Sequence, residues 1–204
     1  MHTLVRALRR SGVHLAYSKG HHPMPKIEFP APLPLGVEGA AEWMEFSATS
    51  CLDLEETLER LQRLLPAGLT AERLFRVPSN SLPLSSLTEQ RYAIDLSGLA
   101  EEDSRTIRRN VEAFLSAPSW TVRRAGKAER KPLDLKSRVS GMKWDGDTLH
   151  LSISNGGFMD LVRSLCPSEA PELPRMVRLC LEHGTDEGAE AGEAGDRAAV
   201  VEAR

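Results

Sequence analysis

His21 and His22 stand side by side in a loop punctuated by Pro23 and Pro25, with Lys19 and Lys26 on either side. Imidazoles held beside ammonium groups can grip a phosphate or pass a proton. The bland alternative is an exposed turn with no ligand, and His14 reads only as a strand-edge residue. Cys180 and His183 have a spacing that zinc could use, but no second pair stands nearby, and a buried structural thiol is the competing reading. Gly156-Gly157 ahead of a helix could offer backbone N–H groups to an anion, yet no Lys-Ser/Thr follows, so a helix cap fits better than a P-loop. Asp95 and Asp134 have no partner acid at an identifiable spacing and stay unassigned. Cys51, Cys166 and Cys180 are too scattered for the closely spaced thiolates of a [4Fe–4S] cluster or for a disulfide framework, and an odd count fits a reducing compartment. On these grounds no catalytic residue, metal ligand or cofactor is assigned.

Charge is distributed more tellingly than its total of −3 over 204 residues. Residues 182–204 hold seven acids against Arg197 and Arg204, which leaves the remainder at +2. Within that remainder, residues 1–30 carry Arg6, Arg9, Arg10, Lys19 and Lys26 against Glu28 alone. Residues 123–143 carry eight Lys or Arg against Glu129 and Asp134, with Trp120 and Trp144 near the ends. Basic stretches with aromatic neighbours can follow a phosphate backbone and stack bases, although a charge run is more often only a solvated face. The nucleic-acid-binding candidates are Arg9, Arg10, Lys19, His21, His22, Lys26, Arg123, Arg124, Arg130, Lys131 and Trp144.

The elements that must position these groups follow from periodicity. Leu4, Val5 and Leu8 between arginines make a short amphipathic helix stopped by Ser11-Gly12. Residues 13–17 are extended, 26–29 and 42–48 alternate as strands, and Asp53 caps a helix whose leucines recur at helical spacing until Pro66 and Gly68. Residues 69–77 complete this half as a strand, and 78–88 have linker composition. A strand at 92–96, a helix at 101–115, strands at 120–124 and 133–139, a hairpin about Asp145-Gly146 leading into 148–154, a helix at 159–165 and a strand at 176–181 make the second half. The core order strand, helix, strand, strand, helix, strand is that of a ferredoxin-like domain. The first half has the same order without its opening strand, so it is expected to begin upstream of Met1 or to borrow a strand. The fold class is therefore α+β: two tandem ferredoxin-like domains, at 1–77 and 89–182, with 183–204 a disordered acidic tail that has no apolar face to bury. No apolar run approaches the roughly 18 residues of a membrane span, and no leader is evident, which points to the cytoplasm.

Arg6-Ala7-Leu8-Arg9-Arg10-Ser11-Gly12, then Leu15-Ala16-Tyr17-Ser18-Lys19-Gly20, then His22-Pro23-Met24-Pro25-Lys26 and Pro32-Leu33-Pro34-Leu35-Gly36 resemble the opening of the bacterial radical SAM-linked protein family, domain of unknown function number 2344. The likeness is specific over residues 6–46 and looser over 89–181, where Lys131-Pro132-Leu133-Asp134-Leu135 is similar to the family's basic-Asp-Leu segment. This chain has His21-His22 where the family usually shows Phe-Asn, Met24 where it shows His, and lacks the strand and Ser-His-Leu-Asp segment that ordinarily precede the first helix. The resemblance implies a partner, a radical SAM enzyme that is separate or fused upstream, in a setting of RNA processing. It implies no reaction of the chain's own. Three readings follow: an accessory module presenting RNA to that enzyme, an RNA-modifying or RNA-processing enzyme using His21 or His22, and a protein-interaction module without nucleic acid.

Overall fold

The computed structural model describes residues 2–78, 80–123, 132–167 and 173–182, and the backbone alone for 194–201. Among them the chain is α+β and divides into two compact units. The first comprises residues 1–32, 39–87 and 183–204; the second comprises 33–38 and 88–182.

In the first unit, helix α1 (His2–Arg10) buries Ala7 and Leu8 and leaves Arg9 and Arg10 on its last turn. It stops where Gly12 takes a left-handed φ of 91° and the Ser11 hydroxyl donates to the Leu8 carbonyl. Strand β1 (Ile27–Glu28) pairs antiparallel with β3 (Trp43–Ser47). Helix α2 (Leu54–Leu64) starts as its sequence predicts, with the Asp53 carboxylate accepting from the Glu56 amide at 3.0 Å. It leads to β4 (Arg73–Pro78). Leu8, Met44, Phe46, Leu61 and Leu74 form the core.

A strand from the far end of the chain completes this sheet. Strand β11 (Ala194–Val201) lies between β3 and β4 and runs antiparallel to both, giving the order β1-β3-β11-β4. One expectation changes here: residues 194–201, which sequence places in a disordered acidic tail, form a strand within this sheet. β3 and β4, joined through α2, run parallel to each other one strand apart, and β11 satisfies the inner edge of each. The remainder of the tail lies outside the described residues.

The second unit has β5 (Glu89–Asp95), α3 (Glu101–Ser116), a small pair β6 (Thr121–Val122) and β7 (Leu133–Asp134), the hairpin β8 (Val139–Asp145) and β9 (Thr148–Ser154), α4 (Phe158–Leu165) and β10 (Arg175–Glu182). Its sheet order is β2-β10-β5-β9-β8, where β2 is Glu38–Gly39. The pairings of β10 with β5, β5 with β9, and β9 with β8 are antiparallel. Helices α3 and α4 cover the face that carries Tyr92, Ile94, Leu149, Leu151 and Ile153, and the Tyr92 ring stacks on Phe158 with centroids 3.6 Å apart.

Residues 133–139, expected as one extended stretch, are interrupted by a 3-10 turn at Lys136–Arg138. The Asp134 carboxylate pulls the chain round by accepting from the Trp120 and Lys136 amides, each at 3.0 Å. Residues 33–38, which sequence assigns to the first domain, belong to the second: Val37 joins its core, and the Glu38 carboxylate grips the Arg175 guanidinium at 3.1 and 2.8 Å.

Candidate nucleic-acid interface

The histidine loop is a braced projection. At its root, the Lys26 amide donates to Ala16, the Ala16 amide to Ser47 and the Ser47 amide to Lys26, at 2.8, 2.8 and 3.0 Å. These bonds mount the loop on β3. Within it the Ser18 amide donates to the Met24 carbonyl at 2.8 Å, and the Met24 amide returns to the Ser18 hydroxyl at 3.0 Å. Lys19, His21 and His22 stand exposed on the rim that these bonds close. The prolines explain the geometry, because Pro23 and Pro25 withhold amides where ladder pairing would otherwise continue.

Beside the loop, the Arg9 guanidinium donates to the Tyr17 hydroxyl and lies 5.7 Å from the Tyr17 ring centroid. Tyr17 is 41% exposed even with Arg9 over one side of its ring. The charges of this surface are unmatched: among the described residues Arg6, Arg9, Arg10, Lys19 and Lys26 have no carboxylate partner. Arg60 and Arg63 of the same unit, by contrast, pair with Glu56 and Glu59 one helical turn away. Below the loop opens a cleft of about 560 Å³ lined by Ser18, Met24, Lys26, Glu28, Glu45 and Phe46 among others. Glu45 is 5% exposed and sits opposite Glu28 in the β1–β3 register.

The second basic stretch behaves differently. Arg124, Arg130 and Lys131 lie outside the described residues, while Arg123 and Lys143 are exposed. Lys136 donates to the Phe114 and Leu115 carbonyls at 2.8 and 2.7 Å, capping the end of α3, and Arg138 holds the Asn155 carbonyl. Trp144 is half-buried with the Arg108 guanidinium 4.2 Å above its ring; Arg108 also binds Asp147 at 2.7 Å. Trp120 packs edge-on against Phe114 and donates to the Ser164 hydroxyl at 3.0 Å. The two stretches sit on different units, and several cations of the second are committed to holding its fold.

The other candidates for chemistry resolve into structure. The Asp95 carboxyl is held below its ordinary range by the Ser97 amide, which donates at 2.9 Å. Burial pushes the Cys180 thiol up to about 11, with Glu182 adding to the effect, and burial also raises Cys166. Neither is a poised nucleophile at neutral pH. His183 lies outside the described residues, and among those described no group of three or more His, Cys, Asp or Glu suits a metal ion. Gly157 caps α4 with a left-handed φ of 98°, and a Cβ there would meet Leu135 Cδ2 at 2.9 Å, so close packing accounts for this glycine without an anion.

Sequence reasoning missed Tyr17 and Glu45. Tyr17 becomes notable only because α1 folds back to place Arg9 upon it, and Glu45 only because a carboxylate within a strand is buried there. Neither has a signal in spacing.

The chain is thus an α+β protein whose described residues bring together a cationic, aromatic-bearing loop surface. Residues 1–163 match the family described as an uncharacterized protein conserved in bacteria, domain of unknown function 2344, and the chain belongs to that family. No curated protein and no solved structure matches it significantly.

Proposed function

We propose that the chain is a cytoplasmic accessory module that holds RNA on the α1 and 18–26 surface of its first unit for a separate radical SAM enzyme. The observation that carries RNA binding is the set of unpaired cations, Arg9, Arg10, Lys19 and Lys26, around the partly exposed Tyr17 ring. Cations already neutralised within the fold release no counterions on binding, whereas unpaired ones do. Tyr17 takes the stacking role that sequence alone gave to Trp144, whose ring is covered by Arg108. The enzyme partner rests on the sequence motifs of residues 6–46. We further infer that both units are ferredoxin-like, the first with β11 in place of its opening strand, an arrangement supported by the strand orders.

Binding of a fluorescent single-stranded RNA across a salt series tests the reading. Each phosphate contact contributes about 0.7 to the log–log slope. Lys19→Ala with Lys26→Ala should flatten the slope by about 1.4, and Tyr17→Ala should weaken binding by about 1 to 3 kcal/mol per stacked base. Arg60→Ala with Arg63→Ala, which removes paired cations, should leave the slope unchanged. Absence of RNA retention at low salt would refute the proposal. His21→Ala with His22→Ala distinguishes an enzyme from an accessory module, since lost turnover with retained binding would assign these imidazoles a reaction.

A further inference from the structure

We propose that the cleft beneath the 18–26 loop is a guanine pocket, in which Glu28 holds the Watson–Crick edge of the base. The inference rests on the reading of this surface as an RNA site and names the base that the site selects.

Two opposite charges share this cleft without pairing. Lys26 and Glu28 both line the space of about 560 Å³. They stand two residues apart on one extended segment, so their side chains leave the same face of it. Among the described residues neither the Lys26 ammonium nor the Glu28 carboxylate has an ion-pair or hydrogen-bond partner. The sheet gives Glu28 no local reason either: its neighbour across β1 and β3 is Glu45, and like charges directly opposite each other weaken a sheet. Glu45 is 5% exposed and engaged within the protein, whereas Glu28 is exposed, so the acceptor left to the cleft is Glu28.

A ligand that uses both charges must carry an anion for Lys26 and hydrogen-bond donors for Glu28. A nucleotide does so through its phosphate and its base. An ionised carboxylate only accepts, and its two oxygens suit two neighbouring donors. Guanine is the base that offers them, with N1–H beside the N2 amino group. Adenine and cytosine set a ring-nitrogen acceptor next to the amino group, and uracil flanks N3–H with two carbonyls, so each turns a lone pair on the carboxylate. The O6 of guanine needs a donor. The Ser18 hydroxyl accepts from the Met24 amide at 3.0 Å and keeps its own proton for that purpose. Met24, which also lines the cleft and is 57% exposed, supplies apolar surface for the face of the ring. The same chemistry suits a guanosine within RNA and a free guanine nucleotide.

The test measures anisotropy of the full chain with a short fluorescein-labelled oligouridine that carries one central guanosine, inosine, adenosine, cytidine or uridine. Guanosine should bind about 5- to 150-fold more tightly than uridine, the discrimination of one good bidentate pair. Inosine, which keeps N1–H and loses the N2 amino group, should fall between them. Glu28→Gln, an isosteric swap at an exposed position, should bring the guanosine-to-uridine ratio to about one. A parallel titration follows the Ser18 and Glu28 amides of the isotopically labelled full chain with GMP and with AMP, and GMP alone should shift them. RNA bound with no preference for guanosine, or with a preference that Glu28→Gln retains, would overturn the pocket and leave the RNA reading standing. If no oligonucleotide is retained, the GMP titration decides. Shifts confined to GMP would keep the pocket for a free nucleotide while the RNA reading falls, and no shift would end both.

Discussion

Replacing Gly157 with alanine should cost much more than replacing its neighbour Gly156, although both glycines have left-handed backbones. The φ angles are 98° at Gly157 and 76° at Gly156, so alanine meets conformational strain of about 1 to 2 kcal/mol at either position. Loss of unfolded-state freedom returns about 0.4 to 1 kcal/mol in both cases. The sites differ in what a methyl group meets. At Gly156 nothing lies within 4 Å, whereas at Gly157 the new Cβ falls 2.9 Å from Leu135 Cδ2 and 3.3 Å from Leu133 Cδ2. Leu135 is 0% exposed and has nowhere to retreat, so overpacking adds about 1 to 3 kcal/mol. Urea unfolding in a Trp43→Phe background leaves Trp120 and Trp144, both in the second unit, as the fluorescent reporters. Gly156→Ala should lower stability by about 0 to 2 kcal/mol and Gly157→Ala by about 1 to 5 kcal/mol, with the second exceeding the first by the overpacking cost and with unchanged m-values. Equal midpoints for the two variants would refute the packing argument.

Asp134→Ala removes the acceptor shared by the Trp120 and Lys136 amides; stability should fall by about 1 to 3 kcal/mol, with faster hydrogen exchange at those two amides. Acid should weaken the second unit through Glu38 and Asp95, whose carboxyls are held low by Arg175 and by Ser97 respectively. A depressed folded-state pKa means that this stability is present at neutral pH and is lost as pH falls through the folded values, so Glu38→Gln with Asp95→Asn should flatten the acid limb of a stability–pH curve. In the native chain a thiol reagent at neutral pH should modify exposed Cys51 first, while the half-buried Cys166 and Cys180, their thiols raised by burial, should react more slowly. Equal rates at all three thiols would contradict their placement.

Elements set by local chemistry were legible in the sequence. Asp53 declared the start of α2, Ser11-Gly12 the end of α1, and Asp145-Gly146 the hairpin, because caps and turns depend on residues close in the chain. What depended on distant chain was not legible. Two-residue β2 has no periodicity to detect, and its place beside β10 arises from Glu38 meeting Arg175 across 137 positions of sequence. Strand β11 hid in an acidic, alanine-rich segment of low strand propensity, since its pairing comes from the edges that β3 and β4 offer. The loop candidates Lys19, His21, His22 and Lys26 were readable as an exposed group from the flanking prolines. The structural duties of Lys136 and Arg138 were not, because a basic residue looks the same in sequence whether it faces solvent or caps a helix.

The placement of β11 has a consequence for synthesis on the ribosome. Strand β4 ends at Pro78 and β11 starts at Ala194, so about 115 residues must be translated between them. At about 5 to 20 residues per second this takes roughly 6 to 23 s. Throughout that interval the nascent first unit carries two unsatisfied inner edges, while the second unit, whose described strands end at Glu182, can already close. The half made first is finished last, and that delay is a window for chaperones or for strand pairing between neighbouring nascent chains.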